Sequence, residues 1–156
     1  MVGLVNRALM SGSVASVVTS ATLAVLAARA GKSPVQPTNA TSHWLHGDKA
    51  GAVRQADAPH TLVGLLTHHA SAVFWAFLFE RLRGKRPAQS PARLARDAAT
   101  TVLVASVVDY ALVPRRLTPG WESVVSKKSI GTTYAVMALG LVVGGLMVAG
   151  SRRGRP

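Results

Sequence analysis

The chain has 156 residues, of which 15% are charged and 49% hydrophobic, and it carries a formal net charge of +12. Soluble domains carry roughly 25% charged residues, and here the apolar residues gather into four blocks instead of being spread at amphipathic spacing. That pattern excludes an ordinary water-soluble core, and the absence of cysteine excludes disulfides, thiolate metal sites and a cysteine nucleophile. The Lys and Arg residues flank the apolar blocks. Groups so placed orient helices in a bilayer and meet anionic head groups, so a lipid surface, not nucleic acid, is the expected partner.

The first block runs from about Ala8 to Ala28, between Arg7 and Arg29. Roughly 20 residues at about 1.5 Å each suffice to cross a hydrocarbon core of about 30 Å. Ala28-Arg29-Ala30 has the pattern of a signal-peptide cleavage site, but the apolar stretch exceeds the usual core of about 7–15 residues, so a retained helix is expected. A polar stretch follows from Arg29 to Pro59. Pro34 and Pro37 predict an extended start. Asp48 is then expected to cap a short interfacial helix reaching about Gln55, with Trp44 as an anchor at the membrane surface.

The second block spans His60 to Phe79 and closes on Glu80-Arg81, read as an interfacial anchor. The third, Ala98 to Val113, contains Asp109 and ends at Pro114. It is short for a span and needs residues from about 96 onward to cross. The fourth runs from Ile130 to Ala149 and is followed by a basic tail. The expected fold is therefore all-α: an integral membrane four-helix bundle forming one polytopic domain over 1–156. Its helices fall at about 8–28, 60–79, 96–113 and 130–149, with a long first extramembrane loop.

Ten of the 18 Lys and Arg residues precede the first block, follow the fourth, or lie between the second and third. The densest cluster is Arg81, Arg83, Lys85, Arg86, Arg93 and Arg96. The positive-inside rule then places both termini in the cytoplasm of a bacterial-type inner membrane, with the His/Trp-containing loop outside. For packing, Gly12, Ser16 and Ser20 make a small-residue ridge on the first helix, and Gly140 and Gly144 a G-x-x-x-G pair on the fourth. Such ridges serve either a homo-oligomer face or contacts within one bundle, the latter being commoner.

Ionisable residues inside a span are rare and usually face protein or water. His60, Gly64, Thr67, His68, Ser71 and Trp75 fall on one side of the second helix. Ala98, Val102, Ala105, Ser106 and Asp109 form a matching face on the third, at a depth compatible with contact between His68 and Asp109. Three readings of this cluster stay open: interhelical hydrogen bonding alone; a metal site drawn from His43, His46, His60, His68 and Asp109; or haem or proton chemistry. Trp75, Tyr110, Trp121 and Tyr134 read as interfacial or packing aromatics. The sequence holds no G-x-S-x-G, G-x-G-x-x-G or Walker pattern, so no catalytic residue is assigned. The leading expectation is a non-enzymatic accessory subunit of a larger membrane complex, or a homo-oligomer. A proton or metal-ion transporter using His68 and Asp109 is the alternative, and a histidine-ligated metal or haem protein the third.

Overall fold

A computed structural model describes residues 3–84 and 90–153, and every element among them is helical. Lys85 and Arg86 of the basic loop, and Arg155 of the tail, lie outside the described residues. Four long helices dominate: α1 (Leu4–Arg29), α4 (Val63–Arg83), α5 (Pro91–Val107) and α6 (Lys127–Arg153). Between α1 and α4 lie the short α2 (Gln36–Thr41) and α3 (His43–His46). Each long helix packs antiparallel against two neighbours in the order α1, α4, α5, α6 and back to α1, while α4 and α6 barely touch across the ring.

The helix ends follow from local chemistry. Gly31 and Gly84 adopt left-handed backbone, with φ of 71° and 69°, and terminate α1 and α4. The Lys32 amide reaches back to the Ala27 carbonyl at 2.9 Å, which closes the end of α1. Ser90 accepts the Arg93 amide at 3.3 Å and Pro91 occupies the first turn of α5, where a missing N–H costs nothing. Ser126 Oγ accepts the Ser129 amide in the same way before α6.

A π turn, Ala58–Leu62, leads into α4, and Asp57 caps it through the His60 amide at 2.6 Å and the His60 ring Nδ1 at 2.8 Å. Those two bonds, the backbone one first, hold the Asp57 carboxyl below its ordinary value of 3.8. The cap's contribution is therefore complete above that value and lost as pH falls through the lower folded one. Asp57→Ala is expected to accelerate hydrogen exchange of the His60 amide at neutral pH. Exchange at the wild-type rate would show that the cap does not hold this turn.

Among the described residues three helical segments are long and apolar enough to cross a membrane: Leu4–Arg29, Ala58–Arg83 and Lys127–Gly150. The expected third block is helical, but it is not one of these three. It begins earlier, at Pro91, and carries Arg93, Arg96 and Asp97 in its first two turns, which lowers its apolar content. It then relaxes into a second π turn, Val108–Leu112, that holds Asp109. The other helices also outrun their apolar blocks, because caps and glycines, not the hydrophobic boundary, decide where a helix stops.

The two connections at one end of the ring, residues 30–57 and 113–126, fold against each other into a cap. The extended start expected at Pro37 is instead the first turn of α2, which tolerates proline. The expected Asp48 helix is a single 3-10 segment, Asp48–Ala52, preceded by Gly47, and the Asp48 side chain is exposed and caps nothing. The cap core is polar and fully bonded. Asn39, wholly buried, donates to the carbonyls of Val53 and Gln55 and accepts from Thr61 at 2.6 Å. Gln36 donates to the Gly51 carbonyl. Gly64 lets α4 pass directly against the Thr38 carbonyl, where any Cβ would collide.

Candidate functional site

Beneath this cap lies a cavity of about 250 Å³, between the upper turns of α1, α4, α6 and the π turn after α5. Its histidine is His68, whose Nε2 lies 2.9 Å from Thr19 Oγ1 on α1. The Thr19 hydroxyl proton points to the Ala15 carbonyl at 2.7 Å, so the imidazole is the donor at Nε2. The ring also makes a hydrogen bond to the Ser16 backbone carbonyl of α1. Across the cavity, Tyr134 of α6 donates to Asp109 Oδ2 at 2.6 Å.

Aromatic rings complete the walls. Trp44, Trp75 and Trp121, all three tryptophans of the chain, line the cavity together with Tyr134. The Trp121 ring stands 6.0 Å from Tyr134 at 56° and 5.6 Å from His68 at 64°. Trp121 donates its N–H to Thr41, and Trp44 donates to Thr67, both at 3.1 Å. With their polar edges tied to threonines, these indoles offer carbon surface to the cavity.

The histidines proposed from sequence as one ligand set occupy separate places. His43 is buried in the cap, its Nε2 2.8 Å from the Thr118 carbonyl. His46 is exposed and reaches the Pro59 carbonyl, its ring 4.7 Å from and tilted at 48° to that of His60, which is held by Asp57. Only His68 and Asp109 share the cavity, and each bonds a different helix, so the direct contact expected between them is replaced by Thr19 and Tyr134. Among the described residues no group of three or more His, Asp or Glu side chains is placed to hold a metal ion. The physical reason is connectivity: the loop histidines are consumed in fastening the cap.

Small residues do make the close approaches. A Cβ on Gly12 would lie 2.6 Å from Val73 Cα, one on Gly140 2.8 Å from Ala15 Cα, and one on Gly144 2.5 Å from Ser11 Cα. Ser16 is buried beside them and Ser20 half-buried. Both ridges are thus contacts within the chain.

A second polar cluster at the opposite end was not foreseen. Glu80, read as an interfacial anchor, is completely buried. It accepts from Ser11 at 2.7 Å and pairs with Arg83 at 3.2 Å, with Arg7 Nη1 3.7 Å away. Arg7 also donates to the Gly84 carbonyl at 2.7 Å. The available signal was spacing: Glu80 lies on the helix side that continues Ala72 and Ala76, not on the exposed side of Arg81. Trp121, Tyr134 and Thr19 were also missed as site members, since single aromatic and threonine residues carry no pattern.

Over its described residues the chain is all-helical, with three helices compatible with membrane insertion. No family model, curated protein or solved structure matches it.

Proposed function

We propose that the chain is a small polytopic membrane protein whose capped cavity takes up a small ligand. In this reading α1, α4, α5 and α6 all cross a bacterial-type inner membrane as a four-helix bundle. The 17 residues of α5 and the five of the π turn after it together reach about 33 Å, enough to span. Arg93 and Arg96 then extend their head groups to the interface. The basic loop and both termini face the cytoplasm, and the cap faces outward.

The observation that carries the reading is the cavity itself, where a carboxylate, an imidazole and three indoles converge under a folded cover. Concave, mostly apolar sites with a few convergent polar groups are where small ligands bind. The two small-residue ridges pack α1 against α4 and α6 and so serve contacts within the bundle. The ion-path reading is weaker. Ala15, Ala76, Val102 and Leu141 belong to one buried apolar cluster, at positions between the cavity residues and the Glu80 end on their helices.

The test uses a chain retaining Trp121 alone (Trp44→Phe, Trp75→Phe) in liposomes. Acrylamide should quench Trp121 emission although the residue is only 6% exposed, and Ala72→Leu, which fills the cavity, should reduce that quenching. Emission indifferent to acrylamide would mean a closed core and no ligand site. Orientation is read on the cysteine-free background. Lys49→Cys should react with an impermeant maleimide in intact cells, and Ser90→Cys only after permeabilisation.

A further inference from the structure

The chain has six acidic residues, and their partners differ in a telling way. Glu80 lies against Arg83 and Arg7, Asp97 against Arg96 at 3.0 Å, Asp57 against His60 at 2.8 Å, and even exposed Asp48 within 3.8 Å of His43. Glu122 is exposed to solvent and bonded by Thr118. Asp109 is the exception. It is half-buried in the cavity wall, and among the described residues no Lys, Arg or His lies within ion-pairing distance of it.

A carboxylate removed from water is stable when paired with a cation. Tyr134 satisfies one oxygen with a neutral hydroxyl, which supplies no countercharge. Asp109 is also the one formally charged side chain lining the cavity, so the site is locally acidic in a chain of net charge +12. Around it stand indole and phenol rings, inclined to one another at about 6 Å, as 6.0 Å and 56° for Trp121 and Tyr134. Aromatic rings at such angles attract cations to their faces, most strongly where water is excluded.

Resting on the ligand-cavity reading above, we infer that the cavity binds a small organic cation of the alkyl- or quaternary ammonium class. The positive centre sits between Asp109 and the rings of Trp121 and Tyr134. The alkyl part lies along Trp44, Trp75 and Met137. A volume of about 250 Å³ equals about eight water volumes of roughly 30 Å³, which limits the ligand to a compact molecule. A bare divalent cation does not fit this chemistry, since calcium and magnesium are held by about six or more oxygens, and the wall offers one carboxylate.

All three tryptophans line the site, so intrinsic fluorescence of the full-length protein in mild detergent reports on it directly. The probes are choline and its uncharged isostere 3,3-dimethyl-1-butanol. Choline is expected to change the emission saturably, with the alcohol at least about tenfold weaker. Asp109→Asn should weaken choline by a similar factor, and Asp109→Glu should retain most of the binding. Equal titration by the two probes would overturn the inference without recourse to any variant, as would an Asp109→Asn protein that titrates like the wild type. A lack of response to choline while acrylamide still reaches Trp121 would sink the cation assignment alone. A lack of response to both would sink the cavity reading with it.

Discussion

Glu80→Ala is expected to lower stability by about 3–5 kcal/mol. Breaking a buried ion pair on one side removes an attraction from a charge that stays desolvated, and here two guanidinium groups, of Arg7 and Arg83, converge on the lost carboxylate. Ser11 loses its acceptor as well. Glu80→Gln tests which of these matters. It preserves an oxygen for Ser11 but not the charge, so most of the loss should persist. The measurement is denaturant or detergent unfolding of the purified protein followed by circular dichroism. A combined Glu80→Ala, Arg83→Ala protein should be less destabilised than the sum of the single changes. A Glu80→Ala protein within about 1 kcal/mol of wild type would show the pair to be dispensable, like an exposed one.

Gly144→Ala is expected to separate α1 from α6 and cost about 1–3 kcal/mol, with Gly144→Val worse. The added Cβ would stand 2.5 Å from Ser11 Cα and 3.2 Å from the Ser11 carbonyl oxygen, and backbone atoms of a packed helix have nowhere to swing. Ser11 also holds Glu80, so the shift propagates into the buried ion cluster. Gly131 and Gly150, whose added Cβ atoms would meet nothing within 4 Å, are internal controls on the same helix. Their alanine variants should match or slightly exceed wild-type stability, since alanine is the better helix former. Thermal unfolding of the three variants decides the matter. Equal midpoints for Gly144→Ala and Gly131→Ala would mean that the α1–α6 approach is looser than its geometry.

Helix content was legible because Val, Leu and Ala come in long uninterrupted runs, a signal of composition that needs no partner. The inward side of α4 was legible only in part: of the expected stripe Gly64 and Trp75 are buried, Thr67 and His68 half-buried and Ser71 exposed, and the buried row runs on through Ala72 and Ala76. Where the sequence misled, long-range pairing decided. Glu80 and Arg81 are neighbours in a basic, polar-looking helix end, yet one is wholly buried and the other exposed. Beside the neighbouring Arg83, the partners of Glu80 are Arg7 and Ser11, some seventy positions away. The histidines of the loop resembled ligands because their chemistry permits it. In the fold they serve carbonyl oxygens of Thr118 and Pro59, contacts that no local spacing encodes.

The cap has a consequence for the order in which the chain assembles. Its fastenings join segments far apart in sequence: His43 to Thr118 and Thr41 to Trp121 are separated by 75 and 80 residues. The ring's other end is pinned sooner, since Ser11 and Glu80 need only α1 and α4, 69 residues apart. During synthesis the first helical hairpin can therefore lock at its Glu80 end while the segment after α1 still waits for its counterpart. The cover over the cavity closes last, once residues 113–126 have emerged, and the interior stays open to its surroundings until that moment.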